Sequence, residues 1–537
     1  MKKLSVFFAF ALAVLTGRAV LPQPDLIADV HFAGGQNISN DRSFLPFADE
    51  FSSPEARALA NQTFDKLSHA PFAWFKAKIA ANAGNGAAQL RPLFNDLLSS
   101  PWVFEARDTT NGFPESALAI RLSSDRVQLW QKNLQQLLEA WTKLPVRRIP
   151  GGWELKKDLP PNLIRVTANN GFLVLDCGQN QLVLGESVVG SLAHGTSIGG
   201  VGLSGEKDWL AADINWPRLS QWFAGLKALS LPETRLVVSP KDNDLHVAGR
   251  LLFPENLPAK LPDWQIPQTL IHSPFVSLTA ARGFALWLNS QAWAEPYQIS
   301  PVPDQVFIWA LPNIPFQTYM CVPVPDAKSA LAQSYARLNP AFDAANRQNG
   351  FFSPIKIVMT NSEIRLVGVP YAAPFLQATN DHQAHYLFAG AFPDTLDAKP
   401  LPPALFTQLD KSNLAYYHWE ITAERFPQLL ELTQLGLLMT QHQQLGTDSA
   451  SLKWLRKITP RLGNTVTEAF RTTPDEMTFT RSAPGGLTAF EFLALGNWLE
   501  AKNFPGCDLR LPPDNPAFNN QAAPSGTAST AMLATGH

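Results

Sequence analysis

Apolar residues along this chain keep two rhythms. In SALAIRL (116–122) and WLAADI (209–214) they recur at short intervals, as in extended strands. In the stretch after 123 they recur every three or four residues, as on one side of a helix: Leu129, Leu134, Leu137, Leu138, Trp141. The change of rhythm falls on a recurring phrase, RLSSDRVQLW (121–130), DINWPRLSQW (213–222) and EITAERFPQL (420–429). Each copy ends a strand, offers Ser123, Asn215 or Thr422 as a helix cap, and places Arg126, Arg218 or Arg425 three residues on. The predicted helices run over about 124–143 in the first copy and to about 440 in the last.

Hairpins follow each helix. LIRVTA and FLVLD flank Asn170-Gly171, a tight-turn dipeptide. TRLVVSPKDNDLHVAGRLLF turns at Asp242-Asn243, and TVTEAFRTTPDEMTFTRS at Pro474-Asp475. A weaker fourth unit has strands QVFIWAL and QTYMCVPV, a helix over 326–338 and a hairpin turning at Asn361-Ser362, with Pro323 at the cap position.

Ser123 to Pro323 and Asn215 to Thr422 are nearly equal steps, which predicts two similar halves. The same register sets Ser100–Val103 opposite Ser273–Val276. The expected fold is α+β, with repeated strand–helix–hairpin units forming antiparallel sheets and helices packed on one sheet face. The expected segments are a signal peptide (1–19), a helical N-terminal extension (20–94), a first half (95–265), a second half (266–510) and a disordered tail (511–537). FPENLPAKLPDWQIPQ joins the halves.

The leader has Lys2 and Lys3, an apolar run to Leu15, and Gly17-x-Ala19 for cleavage. It is short for a membrane span, and no second span is expected, so the protein is read as periplasmic or secreted. An uncleaved anchor is the alternative. The chain carries a formal charge of −2, and loss of Lys2, Lys3 and Arg18 with the leader takes it to −5, which argues against nucleic acid as a partner. Cys177, Cys321 and Cys507 are odd in number and lack metal or redox spacing.

Candidate chemistry is sparse. Gly195-Thr196-Ser197-Ile198-Gly199 matches a hydrolase nucleophile elbow, with SVVGSLA (187–193) as its strand and Asp381 with His385 or His418 as partners. The following GGVGLSG is a poor helix former, so a flexible loop is the plainer reading. Gly200-x-Gly202-x-x-Gly205 matches a dinucleotide loop, but a strand follows where a helix is required. His382 and His385, with His418, are the candidate metal ligands; a loop leading into a strand would separate them. Asp208 with Asp213, and Glu420 with Glu424, are the nearest carboxylate pairs. The phrase arginines serve either as an anion clamp or as ties to a carboxylate or carbonyl on the adjoining hairpin. Trp130, Trp141 and Trp222 fit core faces, whereas Trp216 is expected to be partly exposed and could stack on a sugar.

With its leader, the early strand DLIADVHFAGG and units such as LAADINWPRLSQW, the chain resembles the large exported proteins of planctomycete- and verrucomicrobia-type bacteria. The resemblance covers most of 20–500 and implies no activity, so it transfers no functional residue. The expected function is that of an exported non-enzymatic protein, binding or structural in the cell envelope. Its expected partner is an unknown ligand or envelope component, with no cofactor. A serine hydrolase using Ser197 is the alternative.

Overall fold

The computed structural model describes residues 25–74, 83–109, 113–158, 161–169, 171–179, 182–194, 208–222, 231–253, 260–272, 274–291, 299–312, 317–347, 354–369, 372–382, 384–392, 407–439, 448–502 and 504–505. The Ser197 loop, Cys507 and the leader lie outside these residues, as does the tail from 506.

Among the described residues all strands belong to one antiparallel sheet. The first ten are β1 (Leu26–Phe32), β2 (Trp102–Arg107), β3 (Glu115–Arg121), β4 (Arg147–Ile149), β5 (Gly152–Lys156), β6 (Leu163–Asn169), β7 (Phe172–Gly178), β8 (Leu210–Ile214), β9 (Glu233–Lys241) and β10 (Asp244–Leu252). The next ten are β11 (Ser277–Arg282), β12 (Gln305–Ala310), β13 (Thr318–Val324), β14 (Lys356–Met359), β15 (Glu363–Val367), β16 (Phe375–Asp381), β17 (Ala384–Gly390), β18 (Leu414–Ile421), β19 (Asn464–Arg471) and β20 (Glu476–Ala483). The first set pairs in the order β4-β5-β6-β7-β3-β2-β1-β8-β9-β10. The second pairs as β14-β15-β16-β17-β13-β12-β11-β18-β19-β20, the same order with ten added to every strand. The sets meet where β10 pairs with β20.

This order bears on two expectations. The expected helical extension opens with β1, which lies between β2 and β8 inside the sheet. The helices over 35–99 are an insertion between β1 and β2. Trp102 begins β2 while Ser277 begins β11, and β11 holds the place of β1, so the expected match of Ser100–Val103 with Ser273–Val276 does not follow the strand order.

The longer helices are α1 (Pro54–Trp74), α2 (Ala83–Ser99), α3 (Ser124–Thr142), α4 (Leu184–His194), α5 (Trp216–Trp222), α6 (Ala327–Arg347), α7 (Thr422–Met439), α8 (Ala450–Ile458) and α9 (Ala489–Glu500). They occupy both faces of the sheet, not one. Ile120, Leu173, Val166 and Trp153 pack under Val127, Trp130 and Leu137 of α3 together with Leu90 and Leu93 of α2. Ala117, Ala119 and Val174 pack under Leu184 and Val188 of α4. Neighbours Ala119 and Ile120 point to opposite sides of a pleated strand, so α3 and α4 cover opposite faces. The insertion also ties the two sets together: Leu59 of α1 is buried among Phe426, Leu430, Leu455 and Phe492 of α7, α8 and α9, and Lys66 Nζ donates to the Leu499 carbonyl at 2.6 Å.

Ser123, Asn215 and Thr422 all stand at helix starts, but only one caps as expected. Asn215 Oδ1 accepts from the Arg218 backbone N–H at 3.0 Å. The Ser123 hydroxyl instead donates to Asp125. Thr422 Oγ1 is buried and donates to Glu420 at 3.0 Å. In the fourth unit the cap is Asp326, accepting from the N–H of Lys328 and Ser329, not Pro323. Its helix α6 runs to Arg347, past the expected end at 338. Trp216 is 5 % exposed, contrary to expectation, because its Nε1 reaches inward to Thr234 Oγ1 at 3.2 Å.

Candidate functional site

The residues nominated from the sequence divide into those engaged internally and those that line a cleft. The three phrase arginines are engaged. Arg126 grips both Asp96 oxygens on α2, with Nη2–Oδ2 at 2.6 Å. Arg218 pairs with Asp108 at 2.8 Å. Among the described residues Arg425 is paired with no carboxylate; it donates to Thr318 Oγ1 at 3.0 Å and Gln428 Oε1 at 2.8 Å. Burial pushes its guanidinium down to about 10, and the charge of Glu420 opposes this. Their partners lie on preceding elements or within the same helix, not on the following hairpin.

The candidate carboxylates differ in burial and in partners. Glu420 is buried and Glu424 exposed. Burial favours the neutral form of Glu420, but hydrogen bonds from His418, the Ala489 N–H and Thr422 outweigh it and hold the carboxyl below its usual value. Asp213 sits between Asp29 and Arg235 in register. Its Oδ2 lies 2.7 Å from Arg235 Nε. Desolvation still lifts it to about 7, against the Arg235 charge and helped by Glu233 and Asp29.

SVVGSLA, offered as the strand before the Ser197 elbow, is part of helix α4, so the strand-to-helix turn that such an elbow needs does not begin there. His418 is held by Thr279 Oγ1 at 2.8 Å and lies 3.4 Å from Glu420. Among the described residues no group of three His, Cys, Asp or Glu could hold a metal ion. Cys321 and Cys177 are free thiols. Burial pushes both upward, Cys177 to about 11. Among the described residues no helix is long and apolar enough to cross a membrane.

His382 and His385 line a cleft of about 720 Å³. One wall is the joining segment, with Pro262, Trp264 and Ile266; the other is Pro301–Gln305, the end of β13 and the β16–β17 turn. The described part of the joining segment, 260–267, has no helix or strand and is strapped to the sheet by side chains. Arg282 donates to the carbonyls of Leu414 at 2.8 Å and Pro262 at 2.7 Å, and its guanidinium lies 4.4 Å from the Trp264 ring centroid. Gln305, buried at the start of β12, donates to the Asp263 carbonyl at 2.7 Å and accepts from the Gln265 N–H at 2.9 Å. Tyr386 reaches the Gln265 carbonyl at 3.3 Å.

At the floor lies Asp381, its side chain 1 % exposed. Oδ2 accepts from the Thr269 N–H at 2.9 Å, while Oδ1 has no hydrogen-bond partner and lies 3.6 Å from His382 Nε2. His385 Nδ1 is within 2.6 Å of Asn380 Oδ1, and His382 stands in the turn at φ 53°. Burial lifts the Tyr386 phenol to about 12. The hydroxyl therefore stays protonated at neutral pH. The two histidines thus line one cleft; the sequence singled out Asp381 only as a partner for Ser197 and missed Trp264 as a wall. The sequence reads as a loop entering a strand after His382; the structure instead makes 375–381 and 384–390 a paired hairpin.

Comparison of the chain with protein-family models, with curated proteins and with solved structures returned no match.

Proposed function

We propose that this is an exported binding protein, without catalytic chemistry of its own, and that the cleft at Trp264, Tyr386 and Asp381 is its ligand site. The proposal keeps the cell envelope or the medium as its location, in line with the exported bacterial proteins it resembles, and takes the shared strand order as the mark of a duplicated ten-strand unit. One observation carries it: an apolar, proline-walled concavity, rigidly strapped, holds a buried carboxylate with an oxygen left unpaired. Ligand sites have this composition, mostly apolar walls and a few placed polar groups.

The test is a thermal-shift and tryptophan-fluorescence screen of residues 20–537 against a library of small metabolites. Compounds that raise the melting temperature of the native chain should lose that effect in Trp264→Ala and in Asp381→Asn. Hits that survive both substitutions would place binding elsewhere. N-terminal sequencing of exported protein should begin at Val20; a retained leader would favour an anchored protein.

A further inference from the structure

A second concavity, of about 610 Å³, lies in the first set of strands, between β4–β7 and the start of α4. Its chemistry is unlike that of the aromatic cleft. Arg147, Glu154, Arg165 and Asp176 follow one another directly across β4, β5, β6 and β7. Glu154 takes the guanidinium of Arg147 and has Arg165 Nη2 at 3.8 Å. Arg165 and Asp176 face each other in register, an arrangement that ordinarily closes into an ion pair. Here it does not. Arg165 Nε and Asp176 Oδ1 are both buried and both lack a hydrogen-bond partner, and both residues line the cavity. Asp176 is 4 % exposed. Gly185, at the start of α4, makes room for it, since a Cβ there would stand 2.6 Å from Oδ1.

An unpaired buried donor beside an unpaired buried acceptor is costly unless something bridges them. The lining limits what can. Arg147 and Arg165 would repel a cation; Glu154, Asp176 and Glu186 would repel an anion. The bridging molecule is therefore uncharged and supplies an acceptor next to a donor. We propose that this cavity binds a neutral polyhydroxylated molecule, a sugar or polyol, with adjacent hydroxyls spanning Arg165 Nε and Asp176 Oδ1. Hydroxyls suit the site better than an amide. Desolvation lifts the Asp176 carboxyl to about 6 against the opposing charge of Arg165, so the group changes form in the neutral range. A hydroxyl can donate to the carboxylate and accept from the acid, which an amide N–H cannot.

The experiment is calorimetric titration of residues 20–537 with D-glucose, D-mannitol and trehalose. Glucosamine, gluconate and acetamide serve as cationic, anionic and amide comparisons. At least one of the three neutral polyols should bind saturably, and more tightly than any of the comparisons. Asp176→Ala and Arg165→Met should each weaken that binding about tenfold or more, with Asp176→Asn as the isosteric variant should the alanine form melt early. Trp264→Ala should leave it unchanged, which separates this site from the aromatic cleft. Saturable binding by none of the three polyols would overturn the proposal, as would equal binding of the comparisons or unaltered affinity in the Asp176 and Arg165 variants.

Discussion

Two rows of side chains, one in each set of ten strands, occupy equivalent places in the strand order and could hardly differ more. From β9 to β4 the first reads Arg235, Asp213, Asp29, Glu105, Ala117, Asp176, Arg165, Glu154, Arg147. From β19 to β14 the second reads Val466, Trp419, Leu278, Trp309, Tyr319, Gly390, Phe375, Arg365, Val358. One strand order is thus filled once mainly by charges and once mainly by aromatic and aliphatic side chains. The charged filling works because its three adjacent carboxylates have separate partners: the Arg107 guanidinium for Glu105, the His31 imidazole for Asp29 and the Arg235 guanidinium for Asp213. The aromatic filling works by area and by contact: Trp309 stacks on Phe388 at 5.8 Å and 9°. The lesson is that strand order constrains backbone pairing and leaves the chemistry of a face open.

The contrast can be broken from either side. The largest effect should come from Trp309→Ala, 1 % exposed in the native protein, at about 3–5 kcal/mol lost in urea denaturation. A loss under about 1 kcal/mol would mean that the aromatic row is not a packed core. Next, Arg235→Met should cost about 3 kcal/mol, because Asp213 and Glu233 lose their common cation inside the protein. Adding Asp213→Leu to that variant should restore most of the loss; no recovery would show that the row does not stand on pairing.

The third effect concerns pH. Asp213 and Asp176 are lifted to about 7 and about 6, so the folded chain holds these protons more tightly than the unfolded one. Their contribution is complete below about pH 4 and is lost as pH rises through 6 and 7. The melting temperature should fall by several degrees from pH 5 to 8, and less steeply in Asp213→Asn. A rising profile in the native chain would contradict the assigned direction. The smallest effect separates two copies of the repeated phrase. Asn215→Ala should cost about 1 kcal/mol, and Ser123→Ala only a few tenths, since the Ser123 hydroxyl does not serve the helix N–H groups.

Local features were legible in the sequence because their causes are local. Asp242 and Asn243 adopt φ 50° and 68°, as a tight hairpin turn requires, and β9 and β10 flank them. Helix α3 ends at Thr142, close to the expected position, with Lys143 left-handed at φ 63°. What depends on distant pairing was not legible. Nothing within residues 26–32 states that they lie between β2 and β8. Helix α2 opens with AGNGAA, a weak helix former held by packing of Leu90 and Leu93. The cleft was half legible: His382 and His385 drew notice by residue type and Asp381 as a partner for Ser197, whereas the place of Asp381 in a cleft wall followed only from its burial beside Trp264.

The position of β1 has a consequence for how the chain tolerates damage. It is the earliest described strand to be synthesised, yet it must wait for Arg107 and then Ile214 before both its flanks are occupied. Trimming the N-terminus back to Phe32 would therefore not fray a margin. It would unzip the sheet along an interior seam, leaving β2 through β7 as a separate flap and β8 as a raw edge. A proteolytic cut near the start of this protein is a cut through its middle.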